Sequence, residues 1–269
     1  MSNTVRFVLK TLAGAALLVA VVLPAATQAD GRSVSSLGRI EPLNGVLRLA
    51  GPSGNGLTGA VIKDLLVAEG DWVEKDQVLA HLDSHAVRVA EVARLEAVLK
   101  NRTNELARQK NLSTTSATSK ATLETAIMEV EIARADLAAA QARVELSVVR
   151  SPLRAQVLKI HAYPGERVEA EGIMELGETD TMFAVAEVYE TDITRVAKGQ
   201  KATVSAPALA APLTGVVDHI ALQVGKMDTL GTDPIAKTDA RVVEVFILLD
   251  DSKAVSQLTN MQVEVEIHI

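Results

Sequence analysis

The most constraining feature of this 269-residue chain is a short phrase that occurs twice, with a long helical stretch between the copies. The first copy spans residues 60–79 and the second residues 155–174, and the register holds without a gap, so that Gly70 matches Gly165. Both copies alternate apolar and polar residues and turn at their glycine, a pattern typical of strands with one buried face. The predicted turn residues are Gly70, Asp71, Gly165 and Glu166. A β unit that is duplicated and split by a helical insertion allows few architectures.

The stretch between the copies, residues 84–146, contains neither glycine nor proline and is rich in residues of high helix propensity. Its second half carries an apolar heptad seam in which large and small side chains alternate, as in a closely packed coiled coil. The seam consists of Leu123, Ala126, Val130, Ala133, Leu137, Ala140 and Val144. The first half has a rougher apolar stripe, which Arg102 and Gln109 interrupt.

Residues 113–119 are rich in Ser and Thr, which cap helices and compete with helical backbone hydrogen bonds. We therefore predict an antiparallel helical hairpin whose tip lies at residues 113–118 and which projects about 40 Å. Each helix has a single apolar stripe, and the other helix covers it. The hairpin is therefore expected to stand free of the β modules.

After residue 181 the chain consists of short segments in which apolar and polar residues alternate, separated by turn residues. This pattern is typical of an all-β module. Five strands are predicted, at residues 182–188, 202–204, 213–217, 242–249 and 263–267. Their spacing favours a small barrel or sandwich. Residues 223–239 are polar and lack periodicity, which predicts a loop.

The N-terminal residues have the order of an export signal: Arg6 and Lys10, an apolar run over residues 12–26, and then small and polar residues up to Asp30. The apolar run is about 15 residues, shorter than the ~20 that a membrane-spanning helix needs. Cleavage near Ala29 and retention as an anchor with its N-terminus inside are both compatible with this pattern. Either outcome places the rest of the protein outside the cytoplasm.

The overall composition argues against several functions. With 27 basic and 34 acidic residues the net charge is −7, whereas nucleic-acid binding needs a concentrated basic face. The absence of cysteine excludes disulfides, thiolate metal sites and thiol nucleophiles. His81 and His85 straddle a predicted strand-to-helix junction, and we interpret them as solvent-facing rather than metal-binding. The spacing shows no catalytic triad or carboxylate pair, so we expect no enzyme, cofactor or metal.

These features resemble the periplasmic adaptor proteins, or membrane fusion proteins of the HlyD type. The resemblance rests on the half-motif at residues 67–73, its continuation at 77–80 and Asp83, although Asp76 stands where the family usually has a glycine. It implies a mainly β chain with an inserted α-helical coiled-coil hairpin. The implied domains are a signal peptide or membrane anchor (1–29), a split lipoyl-like, barrel-sandwich hybrid domain (36–83 and 147–180), the hairpin (84–146) and a β-barrel (181–269).

A lipoyl-like carrier uses the same half-motifs and is an alternative for this fold. Carriers need a lysine at the turn between the half-motifs, and residues 82–84 provide none. The later segment at 178–181 has Thr181 where a lipoylated lysine would lie. A carrier, or a β domain that binds small molecules outside any exporter, remains the alternative function.

Two shorter matches refine the resemblance. Residues 38–42 look like the DevB subgroup, whose members serve ABC exporters. Arg108, Leu112 and Ser119 fit the Arg-x3-Leu-x6-Ser pattern of adaptors that dock onto TolC-like channels. The same three residues also suit a solvated helix face, the last seam position and a helix cap, so both interpretations stay open.

The resemblance implies a non-enzymatic adaptor in the periplasm, associated with the inner membrane. Its expected partners are an inner-membrane exporter permease of the ABC type, a TolC-like outer-membrane channel and further copies of itself, as a hexamer. No nucleic acid and no cofactor are expected.

Overall fold

The computed structural model describes residues 33–51, 59–115, 117–227 and 241–269, so the segment at residues 1–29 lies outside the described residues. The strands and helices, in chain order, are β1 (Ser33–Leu49), β2 (Ile62–Leu65), β3 (Trp72–Val73), β4 (Val78–Leu82), α1 (His85–Thr114), α2 (Lys120–Glu145), β5 (Val148–Arg150), β6 (Ala155–Ile160), β7 (Met174–Tyr189), β8 (Lys201–Ser205), β9 (Leu213–Lys226), β10 (Arg241–Leu249) and β11 (Gln262–His268). Neither α1 nor α2 is long and apolar enough to cross a membrane.

The C-terminal strands form a closed antiparallel barrel. Hydrogen-bonded neighbours follow the order β1-β11-β8-β9-β10-β7, and β7 pairs again with β1, which closes the ring. The five strands predicted from the sequence are all present, and β1 is the sixth. Successive side chains of a strand point to opposite faces, so every second residue of each strand faces the barrel core. In β11, Val263, Val265 and Ile267 are buried while their neighbours face outward. The prediction of a small β-barrel is thus confirmed.

A second core belongs to the split lipoyl-like domain. The C-terminal half of β1 and the N-terminal half of β7 continue past the barrel and form one sheet with β6 and β3. A separate sheet of β2, β4 and β5 covers it. Ile62, Val73, Leu79, Val157 and Ile173 are almost inaccessible between the two sheets. Burying large aliphatic side chains between two β layers is a main source of stability in such a domain.

The long strand β1 is shared between the two β domains. Residues 33–39 pair with β11 in the barrel wall, whereas residues 43–49 pair with β7 in the lipoyl-like sheet. The resemblance implies residues 36–83 as the first part of the lipoyl-like domain, whereas residues 36–42 pair with β11 and β7 in the barrel wall. Such long-range pairing leaves no signal in the local sequence pattern.

The two copies of the repeat exchange hydrogen bonds with each other. The amide of Gly70 donates to the carbonyl of Val157 (2.8 Å), and the amide of Gly165 donates to the carbonyl of Ile62 (2.8 Å). Return bonds run from Val157 N to Asp71 O (2.9 Å) and from Ile62 N to Glu166 O (3.0 Å). Each half-motif therefore completes the other across a local two-fold relation. The repeat in the sequence therefore corresponds to a repeat in the three-dimensional structure.

The turns of both copies depend on the left-handed backbone conformation. Gly70 has φ 92° and Gly165 has φ 89°, a region that favours glycine because a side chain is strained there. Asp76, which replaces the usual family glycine, has φ 65°. Asp is one of the few residues that tolerate this region, so the turn survives the replacement.

The helices α1 and α2 form the predicted hairpin and pack along the α2 seam. Ala126, Val130, Ala133 and Ala140 are buried, and the remaining seam positions, Leu123, Leu137 and Val144, are half-buried. On α1, Leu95 is the buried residue. At 30 residues, α1 is about 45 Å long at ~1.5 Å per residue.

One local expectation is wrong. Residues 223–226, predicted as part of a loop, continue strand β9 and pair with β10, Lys226 lying opposite Arg241. The rest of that predicted loop, residues 228–239, lies outside the described residues.

Candidate docking site at the hairpin tip

The end of α1 is held by its own side chains and by the chain that follows. The carbonyl of Leu112 accepts hydrogen bonds from the amides of Thr115 (3.2 Å) and Ala117 (3.0 Å). The hydroxyls of Ser113 and Thr114 each donate to a carbonyl three residues earlier, at 2.7 Å. With these hydroxyls bonded within the helix, α1 continues to Thr114, and the turn begins two residues later than the predicted tip.

Ser119 begins α2 as its N-cap. Its backbone is extended (φ −81°, ψ 153°), and its Oγ accepts a hydrogen bond from the amide of Thr122 at 3.0 Å. The same Oγ lies 2.7 Å from the hydroxyl of Thr122. Ser119 therefore has the capping role that its residue type suggested, and its side chain stays exposed at the tip.

A polar network ties the turn to α1 just below the tip. Thr118 donates to Oε1 of Gln109 (2.7 Å), and Gln109 donates to Oε1 of Glu105 (2.7 Å). Hydrogen bonds from Gln109 and the charge of Arg108 hold the pKa of the Glu105 carboxyl below its usual range. Glu105 is therefore ionised at neutral pH. Gln109 interrupts the apolar stripe of α1, and this polar position is the feature of the sequence that could have predicted the hydrogen bond with Thr118.

Arg102, the other interruption of the α1 stripe, reaches the opposite arm. Its Nη1 lies 3.2 Å from Oε2 of Glu129 on α2. Of the two polar positions that break the stripe, Gln109 thus contacts the turn and Arg102 the opposite helix, and polar contacts of this kind fix the register of a hairpin.

Arg108 and Leu112 occupy one exposed face of α1, one helical turn apart. The Arg108 side chain is 68% exposed and pairs with Glu105 on its own helix, while Leu112 is 43% exposed and does not lie in the seam. The tip thus presents a guanidinium and an apolar side chain together, with Ser119 capping the neighbouring arm. An exposed Arg beside an exposed Leu can bind carbonyl or carboxylate groups next to an apolar pocket.

The segment at residues 38–42, matched to a subgroup above, lies where β1 and β7 close the barrel. A side chain at Gly38 would meet the carbonyl of Val185, since its Cβ would lie 2.4 Å from that oxygen. Arg39 binds three carboxylates across the barrel wall: Glu41 (2.6 Å), Glu187 (3.1 Å) and Glu244 (2.7 Å). Burial lowers the pKa of Arg39, but hydrogen bonds to Glu244 and Glu41 outweigh it and raise the pKa above its usual range. Gly38 thus permits the close approach of β1 and β7, and Arg39 links three carboxylates across the barrel wall.

His81 and His85 are not solvent-facing, contrary to the sequence interpretation. Both are half-buried at the base of the hairpin, and their rings stack with centroids 4.6 Å apart. Nδ1 of His85 lies 2.9 Å from Oγ of the buried Ser147 at the end of α2. In the described part of the chain, no group of three or more potential metal ligands comes together.

No family model matches the chain. The macrolide export protein MacA of Shigella flexneri is 28% identical over 202 residues, which cover 64% of this chain and 53% of that protein. The chain thus spans about half the length of the curated relatives it matches.

Several solved structures share the fold, and two of them illustrate it. A MacA–MexA chimera that contains the Pseudomonas aeruginosa MexA α-hairpin domain has a TM-score of 0.69 at 20% identity, covering 89% of this chain and 79% of its own. The membrane fusion protein Spr0693 of Streptococcus pneumoniae has a TM-score of 0.55 at 16% identity, covering 87% and 98%. The split β repeat, the inserted hairpin and the closed barrel together give this chain the fold of the membrane fusion proteins.

Proposed function

We propose that this chain is a non-enzymatic periplasmic adaptor of the membrane fusion protein family, which links an inner-membrane exporter to a TolC-like outer-membrane channel. The observation that carries the proposal is the exposed Arg108–Leu112 face at the apex of a hairpin inserted between two interlocked β half-motifs. The similarity in sequence to a macrolide export protein supports a role in export.

The tip chemistry fits a shallow, repeated contact. A guanidinium donates to carbonyls and carboxylates in a fixed fork, and the neighbouring Leu112 adds an apolar side chain. Arg108 is already paired with Glu105, so a channel carboxylate or carbonyl must compete for part of that fork. Such an interface is small for one subunit, and repetition around a ring strengthens it.

The proposed assembly is a closed ring of identical subunits, a hexamer by resemblance. Head-to-tail contacts between copies generate rings when the rotation closes. The lipoyl-like domains lie side by side, the hairpins form a tube towards the channel, and the barrels face the exporter. An ABC-type exporter is proposed because residues 38–42 resemble the DevB subgroup. The cargo is left unassigned.

Recovery of a TolC-like channel on the immobilised adaptor tests this proposal. The wild type is expected to retain the channel, and Arg108→Asp to lose most of it, because the substitution places a carboxylate where a donor fork is needed. Arg134→Asp is the matched control: Arg134 is also exposed and also pairs with a glutamate three residues earlier, Glu131, but it lies in the middle of α2.

Equal recovery by the wild type and Arg108→Asp contradicts docking through this face. An equal loss of channel recovery in Arg108→Asp and Arg134→Asp also contradicts it, because the loss then depends on the charge of the hairpin as a whole and not on the tip. Helical circular dichroism of both variants confirms that the hairpin is still folded.

A further inference from the structure

Strand β9 carries an apolar row past the end of the barrel. Ile220 and Val224 pair with the inward-facing Val245 and Val243 of β10, and Leu222 lies between them, where the register of the two strands shifts. Inside the barrel such a row is covered by the core. Beyond the barrel it is not: Leu222 is fully exposed and Val224 is 45% exposed.

This projection lies at the end of the barrel opposite the lipoyl-like domain. Ser33 of β1 pairs with His268 of β11 there, and β7 ends there at Tyr189, opposite Val242 of β10. A cavity of about 370 Å³ lies at this end of the barrel, and Leu37, Tyr189 and Met227 are among its lining residues. The start of β1, the end of β7 and the end of β9 therefore lie at one rim.

Two cations flank the exposed apolar side chains. Lys226 on β9 is paired directly with Arg241 on β10, and both are exposed. Side chains directly opposite each other in an antiparallel pair point to the same side of the sheet. The rim thus presents apolar groups followed by two positive charges, a combination that suits the interface of an anionic lipid bilayer.

An apolar run precedes this rim in the sequence. The run at residues 12–26 is separated from the start of β1 only by residues 27–32. Strand β1 begins at the rim, where Ser33 pairs with His268 of β11. A row of two or three apolar side chains is also narrow for a stable protein interface, whose core needs a larger apolar area.

We propose that the β9–β10 projection contacts the anionic bilayer surface directly, with Leu222 and Val224 in the lipid interface and Lys226 and Arg241 among the headgroup phosphates. The contact deepens the proposed adaptor role, on whose inner-membrane end it rests, but it needs neither exporter nor channel. Its failure is therefore distinguishable from failure of the tip docking.

The test places one tryptophan in the full chain, after Trp72→Phe removes the only native one. The reporter Leu222→Trp lies on the projection, and the control Leu112→Trp lies at the hairpin tip, where the side chain is also exposed. Both proteins are bound to phosphatidylcholine–phosphatidylglycerol vesicles whose acyl chains carry bromine, which quenches tryptophan at short range. We expect quenching and a blue shift at position 222 and neither at position 112.

Lys226→Glu and Arg241→Glu, each combined with the Leu222→Trp reporter, test the contribution of the two positive charges to lipid contact. Each basic residue near an anionic surface contributes about 1 kcal/mol, so the lipid-contacting population should fall about fivefold per reversed cation. Equal quenching at positions 222 and 112, or no quenching at position 222, overturns the proposal because lipid contact is then not specific to the projection. Quenching at 222 that survives both charge reversals overturns the role of the two cations.

Discussion

The β domains and the hairpin are held together in different ways. The β domains bury large side chains that come from distant parts of the chain, such as Ile40, Ile62 and Met174. The hairpin buries mostly alanine and valine along one seam between two consecutive helices. Long-range cores unfold as cooperative units, whereas a narrow local seam opens at lower free energy. The chain therefore combines two cooperatively folded β domains with a hairpin whose stability is lower and separate.

The largest expected effect is a cavity in the lipoyl-like core. Leu79 and Met174 occupy equivalent positions in the two copies, and both are 0% exposed. Leu79→Ala and Met174→Ala should each lower the free energy of unfolding by about 3 kcal/mol, since a buried side chain is lost and a cavity is left. Urea denaturation followed by the fluorescence of Trp72 measures both.

Clearly unequal losses in these two variants contradict the equivalence of the copies. A surface substitution at Lys159→Ala serves as the control and should leave the transition in place.

A smaller effect is expected in the hairpin seam. Val130 is 4% exposed against α1, and Val130→Ala should cost about 2 kcal/mol through lost apolar contact. The loss should be confined to the helices. Amide hydrogen exchange should therefore rise in α1 and α2 and stay unchanged in the barrel. Faster exchange throughout the chain contradicts separate stabilities for hairpin and base.

The smallest effect is expected at the tip. Ser119→Ala removes the side-chain cap of α2 and should cost about 1 kcal/mol of local helix stability, while Ser119→Gly costs only a few tenths. Exchange of the first amides of α2, including that of Thr122, measures the change. Unchanged exchange of these amides in Ser119→Ala contradicts a stabilising role for the cap bond.

Much of the fold could be predicted from the sequence because the patterns that indicate it lie within short segments. The heptad seam predicted which positions of α2 would be buried, since side-chain spacing on a helix decides which residues face the partner. Strand alternation and glycine turns likewise predicted the two half-motifs and the five barrel strands. The missed or mistaken features depend on partners far away in sequence. They include the division of β1 between two domains, the three carboxylates around Arg39 and the stacking of His81 on His85.

The candidate site divides in the same way. The spacing of Arg108, Leu112 and Ser119 identified the tip, because all three lie close together in the chain. It did not distinguish a seam position from a surface position for Leu112, which the structure leaves exposed. That depends on where the opposite arm ends, which the α1 sequence does not encode.

By itself, the sequence determined the existence of two β half-motifs and an inserted hairpin, because repetition, helix propensity and heptad spacing are properties of short segments. Only the tertiary structure decided how these parts combine. The half-motifs exchange backbone hydrogen bonds across a two-fold relation, β1 closes the barrel against β7, and β9 extends an apolar row beyond the rim. The reason is that backbone groups pair by position in space, and their donors and acceptors are identical in every residue but proline.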